Sequence, residues 1–203
     1  NARSQWAKRP RLGYMSNSVT ALNPSVTRKL SATQVASGVA KISFGVLALA
    51  VLSQVRIPLP FTPVPVSLGT FAAIAVGVLL GRRYGSASAL TFALLGSLGA
   101  PIFAGFTAGF TLTFGYVLGY IPAALLGGYA ARAARNGSLL GALTWVLAAS
   151  AVIYLPGLTW LWLASGKSLL ATLSLGLAPF IVGDVLKAAL VVAYLATVAR
   201  RSH

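Results

Sequence analysis

Hydrophobic positions in this chain gather into long apolar runs, without the alternation of a half-buried strand or the narrow stripe of a water-facing helix. Crossing ~30 Å of hydrocarbon as a helix takes about 20 apolar residues, and six segments meet or approach that length. Four cover residues 35–55, 64–80, 84–103 and 109–131; a fifth starts near residue 139 and loses regularity after Pro156; a sixth covers 180–199. Residues 168–199 are too many for one crossing, and Gly176, Pro179 and Gly183 offer breaks. Residues 169–177 are therefore expected as a short surface or re-entrant helix. Residues 157–165, with Trp160 and Trp162, read as an interfacial element at headgroup depth. The expected fold class is all-α: a polytopic membrane bundle of six helices at 35–199, a basic tail at 1–34 and a short tail at 200–203.

Composition supports that reading. Hydrophobic residues make up 57% of the chain and charged ones only 8%, against about 25% in soluble domains. So few charges cannot clothe a water-facing surface, so lipid must cover most of it. One acid, Asp184, stands against 16 basic residues, a net charge of +15. Such a balance ordinarily points to nucleic acid. Here the basic residues lie between apolar runs, and membrane topology accounts for them. Arg82 and Arg83, Arg132 and Arg135, and Arg200 and Arg201 fall on the same side as Arg28, Lys29, Lys41 and the basic residues before them. Arg56 and Lys167 alone fall opposite, while Lys187 lies within a span. By the positive-inside rule both termini are cytoplasmic, at a cell membrane. The basic, acid-free segment 1–34 resembles an organelle transit peptide, which makes an organelle envelope the minor alternative. The scarcity of acid throughout the chain explains that segment more simply. Met15 is the lone methionine, so translation is expected to begin there. Cysteine is absent, which excludes disulfides and thiolate metal sites.

Asp184 and Lys187 are the ionisable pair inside a span. Each charge near the bilayer centre costs about 2.5–3.5 kcal/mol on insertion scales, so such residues face a cavity or a partner. Their spacing of three puts them on one helical face. Asp184 lies in the first turns of its helix, where the dipole favours an anion. Two readings stay open: an ion pair that locks the bundle, or a ligand site offering a carboxylate acceptor and an ammonium donor. A proton relay lacks a second carboxylate, and His203, the lone histidine, lies at the C-terminus.

Residues 56–66 carry four prolines, Pro58, Pro60, Pro63 and Pro65. Each fixes φ and removes an N–H, so a stiff extended loop is expected in place of helix. It serves as a rigid connection or as a lid over a cavity, with Phe61 as its apolar face. In the fourth span, Gly115 and Gly119 permit close helix approach, and Tyr116 is either a pocket wall or a packing residue. Ala36, Ala40, Phe44 and Ala48 form a small-residue row on the first span. No Walker sequence and no metal-ligand cluster is present. Any ATP-driven step must come from another subunit, and no serine can be matched with histidine and carboxylate inside the spans. The chain does not read as an enzyme.

Five motifs in order resemble one known family. They are Pro58–Val66 (PLPFTPVPV), Leu80–Gly85 (LGRRYG), Gly99–Gly105 (GAPIFAG), Gly115–Tyr120 (GYVLGY) and Pro179–Lys187 (PFIVGDVLK). Together they span nearly the whole membrane region, and the chain resembles the BioY family, the biotin-binding S components of energy-coupling factor (ECF) transporters. The chain departs from the pattern at Gly69, where the family commonly has glutamine, and at Leu112 and Phe114, in place of Pro and Gly beside Thr113. The resemblance implies a six-helix S component that captures biotin from outside. It also implies docking onto a transmembrane T component with ATPase subunits, or solitary operation, and no cofactor. It makes Asp184 and Lys187 the binding residues, with Phe61, Thr62 and Tyr116 as lid and wall. An S component for another vitamin, or a structural membrane protein locked by Asp184 and Lys187, are the alternatives.

Overall fold

The computed structural model describes residues 31–200. Residues 1–30, with the Met15 and transit-peptide readings, and residues 201–203, with His203, lie outside the described residues; α1 begins inside the expected tail, at Ala32. From Ala32 onward the chain forms one helical unit. Its elements are α1 (Ala32–Gln54), strands β1 (Arg56–Ile57) and β2 (Val66–Ser67), α2 (Gly69–Ser97), α3 (Phe114–Arg135), α4 (Leu139–Ser165), α5 (Leu169–Gly176), a 3-10 turn (Ala178–Phe180) and α6 (Ile181–Arg200). Four stretches are long and apolar enough to cross a membrane: α1, α3, α4 and the run from α5 through α6. On α1, Gly45, Leu49 and Ser53 are buried at four-residue spacing, while Val39, Phe44, Leu47 and Val51 are exposed. That is the pattern of a helix greased on its lipid side.

The apolar runs at 64–80 and 84–103 become the single element α2, broken at Gly81. There φ is 79° and ψ is 166°, a conformation essentially confined to glycine. The two arms, 69–80 and 82–97, fold back on each other so closely that a Cβ on Gly85 would lie 2.7 Å from the Gly77 Cα. The first arm rises only about 18 Å, short for a lipid-exposed crossing. It is buried within the bundle: Ala72, Ala73, Ile74, Val76, Gly77 and Val78 are all buried, and α3 packs on it with the Ala124 carbonyl against Gly77.

Four boundaries differ from expectation, each for a local reason. The second run starts its helix at Gly69, because the proline segment before it is held in a two-residue antiparallel ladder, Arg56 with Ser67 and Ile57 with Val66. The third run ends at Ser97 instead of 103, since Gly99 at φ 107° and Pro101 stop the helix. The fourth begins at Phe114 instead of 109, after an irregular stretch that includes a Phe103–Thr107 bridge. The fifth does not lose regularity at Pro156: α4 runs unbroken to Ser165, and Gly166 in the left-handed conformation closes it. A proline inside a membrane helix is tolerated where neighbouring helices pack on it, and α3 lies closely along this stretch, with Gly115 beside the Pro156 carbonyl and Gly119 beside Ile153. The short helix expected near 169–177 is α5, capped by the Ser168 hydroxyl accepting from the Ala171 N–H.

Replacing Gly81 by alanine should lower thermal stability by about 1–3 kcal/mol, read from the unfolding midpoint of the detergent-purified protein. Gly183→Ala is the contrast. That glycine lies within α6 with open space around it, so the substitution should leave the midpoint unchanged or raise it. Equal losses at both positions would contradict the Gly81 turn.

Candidate ligand-binding cleft

Asp184 and Lys187 sit in the first two turns of α6, three residues apart, and each side chain retains 12% of its exposure. The Lys187 ammonium lies 3.2 Å from Asp184 Oδ1 and donates to the Thr70 hydroxyl at 3.0 Å. Asp184 Oδ2 accepts a hydrogen bond from the Tyr154 hydroxyl on α4. One pair of charges thus ties α6 to the first arm of α2 and to α4. Both charges border a cleft holding about 620 Å³ of empty space, its open mouth included. Thr70, Phe92, Tyr116, Tyr120, Tyr154 and Phe180 share in lining it.

Pairing leaves binding capacity unused. An ammonium has three donors and a carboxylate about four lone-pair positions. Among the described residues, Lys187 spends two donors and Asp184 accepts two bonds. The cleft can therefore still accept N–H groups at the carboxylate and donate to an oxygen from the ammonium. The pair carries no net charge, so its recognition is of a neutral polar group more than of an ion.

The walls are aromatic. The Tyr116 ring stands edge-on to Tyr154, centroids 6.2 Å apart, and its hydroxyl donates to the Gly176 carbonyl at 2.8 Å. That hydroxyl is occupied in holding α5, so Tyr116 offers the cleft its ring. Phe92 stacks on Tyr120 with centroids 6.3 Å apart and meets Phe103 edge-on at 5.3 Å. The absent side chain at Gly69 has a counterpart here. A Cβ there would collide with the Tyr120 hydroxyl, so tyrosine fills the place that a longer residue at 69 would need. Phe114, another of the departures, packs against Phe103, Phe110 and Trp160. It thereby steadies the irregular segment from which Phe103, Ala104 and Thr113 reach the cleft.

The proline segment behaves differently from a simple lid. Thr62 is buried and its hydroxyl donates to the Leu175 carbonyl at 2.7 Å, so it pins the loop to α5. Phe61 is 60% exposed and does not line the cleft; Val64 and Pro65 do. Of the five side chains expected at the site, the structure brings Asp184, Lys187 and Tyr116 together and leaves Phe61 and Thr62 outside. Phe61 stands in a turn at 60–61, where the Thr62 N–H approaches the Leu59 carbonyl, and this turn carries its ring away from the cleft. Sequence reasoning missed Thr70, Tyr120 and Tyr154. Tyr154 is one of several hydroxyl-bearing side chains in its span, beside Thr144, Ser150 and Thr159, so nothing local singled it out. Thr70 carried no signal either, because its role arises from a residue 117 positions away.

A second clamp holds the cleft's other rim. Gln54, the last residue of α1, donates to the carbonyls of Ile102 and Phe103 at 3.2 and 3.1 Å. Its carbonyl accepts from the N–H groups of Gly105 and Phe106, both at 3.0 Å. One amide thereby satisfies four backbone groups of a segment that has little regular structure of its own.

These features define a multi-pass helical membrane protein with a charged, aromatic-walled cleft. The comparisons with known proteins make the class specific. The family model described as the BioY family matches residues 20–203, and the chain belongs to that family. A Pyrococcus horikoshii protein described as "Probable biotin transporter BioY" is 36% identical over 139 residues, which is 66% of this chain and 80% of that protein. A protein of the same description from Methanothermobacter thermautotrophicus is 40% identical over 125 residues, 55% of this chain and 78% of the relative. A crystal structure of the S-component for biotin from an ECF-type ABC transporter superposes with a TM-score of 0.69 at 25% identity. It covers 84% of this chain and 94% of the other.

If Asp184 and Lys187 balance each other, removing one should cost the unliganded protein more than removing both. Asp184→Asn or Lys187→Met alone should lose roughly 1–3 kcal/mol, and the double variant should regain part of it. Unfolding midpoints of the four proteins form the cycle; strictly additive losses would show that the two charges do not interact.

Proposed function

We propose that this chain is the biotin-binding S component of an ECF transporter, and that Asp184, Lys187 and Tyr154 form the polar end of its site. One observation carries the assignment of residues: the only carboxylate in the sequence borders the cleft with unused acceptor positions beside an ammonium with an unused donor. A ureido group has two N–H donors and a carbonyl between them, and it complements that pair. Because the pair is neutral overall, the ureido end of biotin suits it better than the carboxylate end does. The bicycle and aliphatic chain then lie against Phe92, Tyr116, Tyr120 and Phe180. Val64 and Pro65 close one side, while Thr62 keeps their loop docked on α5.

The topology we propose has six crossings, with the two arms of α2 counted separately and both termini cytoplasmic. It is supported by the Gly81 turn and the end of α3, which lie side by side at Gly128 and Arg82 and carry Arg82, Arg83, Arg132 and Arg135. Inward release is driven by a T component with ATPase subunits. The residue boundaries are a membrane domain at 35–199 between two short tails.

A second reading keeps its own support. Lys187 to Thr70 and Asp184 to Tyr154 do link three helices, as a purely structural lock would. Isothermal titration of the purified full chain with biotin separates the two. The transport reading expects tight binding that Asp184→Asn and Lys187→Ala each weaken by about tenfold to a hundredfold. It expects a smaller loss from Tyr154→Phe and little change from Phe61→Ala. A lock without a guest gives no biotin heat and no biotin-induced rise in melting temperature. Tight binding untouched by all three substitutions would keep the transport reading and discard the assigned residues.

A further inference from the structure

Away from the cleft, a groove opens where the Gly81 turn meets α3. Arg82, Arg83 and Ser86 form one wall, and Ile121, Pro122, Leu125 and Tyr129 the other. Both arginines are exposed. Arg82 donates to the Tyr129 hydroxyl at 3.1 Å, and its guanidinium lies 5.3 Å from the centre of that ring. Tyr129 in turn stacks on Trp145 of α4, 5.2 Å between centroids. A Trp–Tyr–Arg stack of this kind marks headgroup depth in a membrane helix bundle.

The charges here have no partner of their own. The sequence contains one acid, and it is engaged with Lys187 in the cleft. No other side-chain carboxylate stands in the sequence to neutralise Arg82 or Arg83, which leaves both guanidinium groups open to an anion from outside. A third observation points into the same groove. The Ser86 hydroxyl oxygen is buried and has no hydrogen-bond partner among the described residues. It lies one helical turn below Arg82 and Arg83, about 5 Å deeper. From there the groove continues along two turns of α3, past Leu125 and Pro122 to Ile121, and turns purely apolar.

We propose that this groove binds an acidic phospholipid. Its phosphodiester takes Arg82, Arg83 and the Tyr129 hydroxyl, an ester carbonyl takes the Ser86 hydroxyl, and an acyl chain lies on Ile121, Pro122 and Leu125. The order of groups down the groove, cationic, then hydroxyl, then apolar, matches the order of groups in a glycerophospholipid. A free phosphate would use the first of these and leave the rest empty. The site lies on the second arm of α2, directly after the Gly81 turn, and on α3, so a bound lipid would also brace that turn against α3.

Native mass spectrometry tests this on the full chain released from bilayers that contain phosphatidylglycerol and phosphatidylcholine with identical acyl chains. Phosphatidylglycerol should be retained over phosphatidylcholine by about tenfold, and the preference should fall as salt rises. Arg82→Gln/Arg83→Gln should abolish it, whereas Arg132→Gln/Arg135→Gln, at the same membrane face, should keep most of it. Leu125→Trp fills the apolar part while leaving both guanidinium groups, and should lower phosphatidylglycerol retention by itself. Helix content measured by circular dichroism serves as the folding check for each variant. Equal retention of the two lipids overturns the proposal. So does a preference lost equally in both arginine pairs, retention unchanged by Leu125→Trp, or displacement of the lipid by inorganic phosphate or by an acidic peptide.

Discussion

A carboxylate inside a bilayer has to be answered, and in this chain there is only one. Left bare, Asp184 and Lys187 would each cost a few kilocalories per mole in the membrane. Paired on adjacent turns of α6, they become a local dipole that Thr70 and Tyr154 anchor at its two ends. That arrangement makes three helices meet at one point, and the cleft is the space their meeting leaves. The aromatic walls follow from the same geometry. Large flat side chains bridge helices that the polar contacts hold apart, and they give an apolar guest broad surfaces without many rotatable bonds.

Close packing elsewhere compensates for the opening. Glycines 77 and 85 let the arms of α2 touch backbone to backbone, and α3 lies against both arms. Between helices in lipid, where no hydrophobic gradient drives association, such close approach supplies the dispersion energy that holds a bundle together. The irregular segments need a different device, because their backbone groups cannot go unsatisfied at membrane depth. Gln54 and Thr62 provide it: side-chain hydrogen bonds from a buried end of α1 to the 102–106 stretch, and from the proline loop to α5. Both rims of the cleft are thus held by single side chains that add to a short ladder at 56–57 with 66–67 and a bridge between Phe103 and Thr107.

What the sequence discloses divides along the same line. Apolar run length marks α1, α3 and α6 and the break before α6, since lipid fixes how long a greasy helix must be. The charged pair stands out because charge is so rare here. Local backbone rules also carry over: the prolines forbid helix at 58–65, and they do so in the structure. Pro156 breaks the analogy, because its tolerance depends on α3 lying against it, which no local rule records. Thr70, Tyr120 and Tyr154 were invisible for the corresponding reason. Their place at the cleft depends on tertiary neighbours, whereas Phe61, conspicuous in its motif, stands exposed in a turn at 60–61.

The two charged regions of the membrane domain are neutralised in opposite ways, and that difference bears on how they work. In the cleft, the single acid cancels the single lysine, so a neutral polar guest can replace internal hydrogen bonds without importing charge. At the Gly81 turn no acid exists to cancel Arg82 and Arg83, so whatever settles there must bring its own. Adding a second acid near the turn would satisfy those arginines internally and make the surface indifferent to lipid. Adding one in the cleft would leave a buried charge that only a cationic guest could relieve. An acid-poor sequence therefore does more than suit the bilayer. Under the assignments proposed above, it reserves neutrality for a site that takes an uncharged headpiece and leaves uncompensated charge where a lipid anion can settle.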